Sequence, residues 1–215
     1  VVGMIKDKGS KSINKNILTA MALYEAISLF GMSYVIDPTT PYAEFSENKQ
    51  AVDFLQFPRQ TLDYRAGDCD DLSILYNALL ESIGIETSFI TIPGHILMAF
   101  SLDIRPEKAR KSFSKPDDLI FREEKAWLPV EVTMLGNGFL KAWQTGARQW
   151  REAVSKKKEG FYPMHSAWKI YEPVGLPGTG GPVELPGSDQ LVSVYLAELI
   201  KYIDREIYPK VASIR

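Results

Sequence analysis

Apolar residues recur at helical spacing over 13–31, where Ile17, Ala20, Met21, Tyr24, Ile27 and Ser28 share one mostly apolar face and Gly31 supplies a stop. The period then breaks in "YVIDPTTPYAEFSE", whose prolines predict extended or turn structure over 34–47. A short helix is expected around Ala51–Leu55, ended by Pro58. The clearest segment follows. Leu72, Leu75, Tyr76, Leu79, Leu80 and Ile83 form one stripe at i, i+3, i+4, i+7, i+8 and i+11, the pattern of a helix with one buried face. Asp68 suits the N-cap, Asp71 three places on completes a capping box, and Gly84 suits the C-terminal end.

After Gly84 the pattern changes to short β runs: "ETSFITI" (86–92), "HILMAFSL" (95–102) and "AWLPVEVTM" (126–134). Pro93-Gly94 predicts a hairpin between the first two. In the third run, the two-residue period puts Trp127, Pro129, Glu131 and Thr133 on one face. Leu128, Val130, Val132 and Met134 form the other face, which should meet the core. The charged stretch 103–125 reads as a long loop. Helices are expected over 139–154, with Leu140, Trp143, Ala147 and Trp150 on one side, and over 189–206, with Leu191, Val194, Tyr195, Leu199 and Tyr202 on one face. The Gly/Pro-rich stretch 172–189 between them reads as loop. The fold class is α+β, a single domain over 1–215: a helix starting at Cys69 packed on an antiparallel sheet, with an N-terminal helical extension (1–48) and a C-terminal loop and helix (172–215).

Composition narrows the partners. The chain has 215 residues, 45% hydrophobic and 24% charged, with a formal net charge of -2, an ordinary globular balance. Its basic runs, "KDKGSKSINK" (6–15) and "SKKKEG" (155–160), read as solvated surface and point to no nucleic-acid partner. No apolar run reaches about 18 residues, so no membrane-spanning segment is expected. The chain begins with Val, which reads as a piece of a longer polypeptide and leaves the compartment open, export included.

The candidate chemistry centres on "GDCDD" (67–71), which holds the one cysteine of the chain. Two histidines, His95 and His165, are the available bases. A thiol nucleophile needs a neighbouring base, and the base an orienting group. Cys69 falls at a helix N-terminus, where the dipole favours the ionised sulfur, and shares the face of the apolar stripe. His95 begins a strand, and Glu131 is the charged residue of an otherwise largely apolar strand, either facing solvent or partnered. Helix capping accounts for Asp68 and Asp71, so Asp70 is expected to face solvent or a basic neighbour such as Arg59 or Arg65.

The order of these motifs carries a resemblance. "RAGDCDDLSILYNALLESIGIETSFI", then "PGH" on a strand, then W-x-P-V-E-x-T resembles the transglutaminase-like superfamily of papain-like cysteine enzymes over about residues 56–143. The resemblance implies a papain-like core in which Cys69 is nucleophile, His95 general base and acid, and Glu131 the orienting carboxylate, in a place where most members carry Asp. The aromatic-rich cysteine segment of animal transglutaminases is missing, so cross-linking is not implied. The Cys69 amide is one candidate oxyanion donor; Gln56, Gln60 and Tyr64 are the side-chain candidates upstream.

The expected function is therefore cysteine-dependent acyl transfer on a peptide or protein substrate, by hydrolysis rather than transamidation, without a cofactor. The alternative is a non-catalytic peptide- or protein-binding module on the same fold. No metal is expected: the aspartates do not fit the D-x-[DN]-x-[DN]-G calcium loop. "GLPGTGGP" lacks the Lys-Ser/Thr of a phosphate loop. Trp127, Trp143, Trp150 and Trp168 are read as packing residues, with a substrate groove as their other use.

Overall fold

A computed structural model describes residues 1–5, 12–36, 55–176 and 181–212. The expectations for 37–47 and for Ala51–Phe54 lie outside these residues.

The first long helix, α1 (Lys15–Leu29), starts where Asn14 accepts the Asn16 and Ile17 amides. Its burial is not the single stripe that periodicity suggested: Ile17 and every residue from Thr19 to Ile27 are buried. It is a central helix rather than a surface one. Its N-terminus is tied to the sheet by Asn16 Nδ2, which donates to the Ser101 carbonyl at 2.8 Å, and by Asn14 Nδ2, which donates to that of Leu102 at 2.7 Å.

A short strand β1 (Ser33–Tyr34) runs parallel to β2 (Ala66–Gly67). Between them lies α2 (Pro58–Tyr64), which Pro58 opens rather than ends. At the first helical position proline gives up an amide that has no intrahelical partner anyway. The helix α3 (Cys69–Glu81) follows, then β3 (Thr87–Ile92) and β4 (His95–Ser101), paired as an antiparallel hairpin around Pro93-Gly94.

The stretch 103–125 is not a long loop. It folds into α4 (Pro106–Ser112) and β5 (Ile120–Arg122), which pairs with β6 (Lys125–Val130). Then come α5 (Phe139–Ser155), β7 (Gly160–Pro163), the short α6 (Met164–Ala167), and the terminal helices α7 (Ser188–Glu206) and α8 (Tyr208–Ala212). The five long-range strands form one antiparallel sheet in the order β5-β6-β4-β3-β7.

This α+β arrangement buries both faces of the sheet. Met98, Phe100, Leu128 and Val130 join the main core with α1, α3 and α7, to which Ile17, Tyr76, Tyr195 and Tyr202 contribute. The opposite face carries Ile90, Leu97, Ala99 and Trp127, packed with Ile120 and Trp150. Trp127, on the face opposite the expected apolar one, is thus as buried as its neighbours. No helix among the described residues is long and apolar enough to cross a membrane.

Two buried carboxylates hold the start of α5. Glu25 accepts the Phe139 amide at 2.8 Å and Glu198 the Leu140 amide at 2.9 Å. Burial pushes the Glu25 carboxyl from 4.5 up to about 7; the Phe139 amide opposes the shift and the Glu198 charge adds to it. A carboxyl raised by folding contributes stability in full below its unfolded value near 4.5 and loses it as pH rises through about 7. Glu25→Gln keeps an oxygen for the Phe139 amide, so its melting temperature relative to the unaltered protein should rise between about pH 5 and about pH 8. Thermal unfolding at the two pH values checks this.

Candidate functional site

The N-terminus of α3 is built as the capping box predicts. The Asp68 carboxylate accepts the Asp70 and Asp71 amides at 3.2 and 3.3 Å, and Asp71 Oδ2 accepts the Asp68 amide at 3.3 Å. Gly67 is needed for this approach, because a Cβ there would sit 2.7 Å from Asp71 Cβ. Of the apolar stripe, Leu72, Leu75, Tyr76 and Leu80 are buried. Leu79 is half-buried and Ile83 is exposed, because the helix ends at Glu81.

The cap directs Cys69 inward, where it is 4% exposed. His95, 26 residues further along the chain, meets it there. The antiparallel order puts the start of β4 beside the end of β6. Glu131 is not a strand residue, as the two-residue period implied: β6 ends at Val130, and Glu131 caps the short 3-10 turn Val132–Met134. Leaving the ladder turns its side chain toward β4. His95 Nε2–H donates to Glu131 Oε2 at 2.6 Å, and the Cys69 side chain lies close enough to the ring to act on its protonation, with Nδ1 the nitrogen left to face it.

Glu131 is 2% exposed and fully engaged. Its Oε1 accepts the Thr133 amide at 3.1 Å and the Thr133 hydroxyl at 2.6 Å, and Gln149 on α5 lies close enough to favour its charged form. Burial works to raise this carboxyl, but the His95, Thr133 and Gln149 side chains hold it below 4.5. Burial opposes the charged form of His95. The Cys69 and Glu131 side chains nonetheless raise the ring from 6.5 to about 10.

The aspartates do not turn away as expected. Asp70 is 3% exposed, and ligand atoms of Asp68, Cys69 and Asp70 lie within 4.8 Å of one another. Asp70 Oδ1 accepts the Asp71 amide at 2.9 Å. Arg59 instead pairs with Asp63 at 3.0 Å, and Arg65 lies over the Phe30 ring. The thiol therefore sits among carboxylates, and the His95 ring supplies the compensating positive charge.

The upstream candidates separate. Gln56 is drawn to the cap: its amide and Nε2 each donate to Asp71 at 2.7 Å. Gln60 Oε1 accepts the Phe57 amide at the start of α2. Tyr64, at the end of α2, is 64% exposed. The residue that sequence reasoning missed is Tyr34. It pairs with Gly67 in the β1–β2 ladder, two residues before Cys69, and its phenol is raised by partial burial and then by the charges of Cys69, Asp68, Glu131 and Asp70, so it lies within electrostatic reach of the thiol. Gln149 was also missed; it sits one position before Trp150 and turns to Glu131. His165 lies apart, 3.0 Å from Glu81 and stacked on Trp168.

No protein-family model matches the chain, and no curated protein or solved structure matches it either.

Proposed function

We propose that this protein is a cysteine-dependent acyl-transfer enzyme acting on a peptide or amide, with Cys69 as nucleophile, His95 as general base and acid, and Glu131 as the orienting carboxylate. The observation that carries the reading is the convergence of Cys69, His95 and Glu131, the buried thiol acting on a ring that is hydrogen-bonded to a buried carboxylate, brought together from a helix start, a strand start and the residue just past a strand end. A ring placed between a thiol and a buried, fully hydrogen-bonded carboxylate has the arrangement of an activated nucleophile. The reading rests also on the order Cys69, His95, Glu131 along the chain, which is what carries the resemblance to the transglutaminase-like superfamily.

In the reaction, the Cys69 sulfur attacks the acyl carbon and the carbonyl oxygen takes the negative charge. The His95 ring then gives its proton to the leaving nitrogen as the carbon–nitrogen bond breaks, leaving a thioester. Water attacks the thioester, His95 takes a proton of that water, and the carbon–sulfur bond breaks to release the acid and restore the Cys69 thiolate beside the protonated ring. The Asp70 and Asp71 amides are committed to the cap, so the Cys69 amide is the first-turn donor assigned to the oxyanion, with the Tyr34 hydroxyl as the side-chain donor in place of Gln56 and Gln60.

The test is p-nitrophenyl acetate, an activated ester that needs no substrate recognition. A burst of one p-nitrophenolate per chain, with the acetyl group located on Cys69 by mass spectrometry and the burst lost in Cys69→Ala, is the expected result. No burst and no acetylated Cys69 would sink the reading in favour of a binding module.

A further inference from the structure

The flank of α3 facing α6 borders a groove of about 350 Å³. Its walls are mostly apolar, including Leu55, Phe57, Ile74, Phe89, Met164 and Trp168. This volume is near the lower end of ligand pockets, about 300–1,000 Å³, so it fits a short segment rather than a folded partner. Next to it the chain leaves Ile170, Tyr171 and Val174 between 72% and 79% exposed, an apolar surface of the kind that marks an interaction site.

The polar atoms of the groove identify what it takes. Asn77 lines it, is only 4% exposed, and has no hydrogen-bond partner on either Nδ2 or Oδ1. Gln56 lines the same groove, and its Oε1 is buried and unpartnered while its Nε2 is spent on Asp71. A buried amide with both donor and acceptor unmet costs free energy until something supplies both. A hydrocarbon chain supplies neither and an anion supplies only acceptors. A peptide group supplies one N–H and one C=O. The one carboxylate of the lining, Glu81, is engaged by the Thr87 amide and hydroxyl and by His165, so it does not call for a cation.

We infer that this groove binds an extended peptide segment bearing uncharged apolar side chains, its backbone amide paired with Asn77, as a recognition site on the flank of the helix that begins at Cys69. Only the statement that this peptide is the substrate rests on the acyl-transfer reading. The binding stands by itself and is tested without turnover.

The four tryptophans of the chain give a reporter, because Trp127, Trp143 and Trp150 are buried and Trp168 is 39% exposed at the groove. The Cys69→Ala protein is titrated with the capped tetrapeptide acetyl-Ala-Leu-Leu-Ala-amide and with its backbone N-methylated counterpart, following tryptophan emission and heat. The capped peptide should give a saturable blue shift that Trp168→Phe removes while the heat of binding remains. N-methylation of the peptide, and separately Asn77→Leu, should each weaken binding at least about tenfold. Equal binding of the N-methylated peptide, equal binding to Asn77→Leu, or no saturable binding would each overturn the inference. A Cys69 acetyl burst without peptide binding removes this groove and leaves the acyl-transfer reading; peptide binding without the burst does the reverse.

Discussion

Iodoacetamide alkylates Cys69 at least about 100-fold more slowly in His95→Ala than in the unaltered protein at neutral pH, a loss at the lower end of what a positioned acid–base group supplies. The expectation comes from opposing charges at one atom. Asp68 and Asp70 bring carboxylate oxygens within 4.8 Å of the other ligand atoms of their cluster, the Cys69 sulfur among them. The His95 ring, raised to about 10, stays protonated through the neutral range and offsets them. Its contribution to stability has the same sign: complete below 6.5 and lost as pH rises through about 10. Glu131 acts in the other direction, with a lowered carboxyl whose contribution is complete above 4.5 and lost as pH falls through its folded value. Glu131→Gln, which keeps an oxygen for the ring but removes the charge, should give an intermediate rate, about tenfold slow. Stopped alkylation read by mass spectrometry checks both variants. Rates equal to the unaltered protein in both would mean that the ring does not act on the sulfur.

Gly146→Ala, a single methyl far from the thiol in sequence, is expected to cost about 2 kcal/mol of stability and to slow the same alkylation. A Cβ at Gly146 would lie 3.1 Å from the Glu131 and Val130 backbone nitrogens and 3.2 Å from the Pro129 carbonyl carbon. All three are main-chain atoms and cannot swing aside. The bare glycine lets α5 press against the end of β6, where the Glu131 amide donates to the Ala142 carbonyl at 3.1 Å. That contact fixes where the strand stops and so where the Glu131 carboxylate points. Urea unfolding gives the stability loss. Alkylation of the still-folded fraction gives the misplacement, and a normal rate there would show that Gly146 serves packing alone.

The parts of the site legible in the sequence are those specified locally. Asp68, Cys69 and Asp71 lie within one helical turn, and their capping pattern reads directly from residue type and spacing. His95 follows a Pro-Gly turn, which also acts within four residues. Glu131 was picked out as a lone charge in an apolar run, but the end of its strand was not legible, because that is decided by Gly146 and the Ala142 carbonyl on another element. Tyr34 and Gln149 carry no such local mark: they reach the site through a two-residue ladder and the packing of a helix. The same distinction explains α1. Its periodic stripe was real, but α7, more than 150 residues away, covers the face that periodicity leaves to solvent. In 103–125 the many charges masked two short elements, whose buried apolar residues Ala109 and Ile120, with Phe113 and Leu119 at their ends, are too sparse to show a period.

The capped helix α3 carries the thiol in its first turn and the unmet amide of Asn77 eight residues on, a rise of about 12 Å along a rod that does not bend. An extended peptide advances about 3.3 Å per residue. On the proposed reading the helix is a ruler: a chain held at Asn77 and running along it would present to Cys69 the bond three to four residues away, and lengthening or shortening that chain by one residue would move the reacting carbonyl off the sulfur.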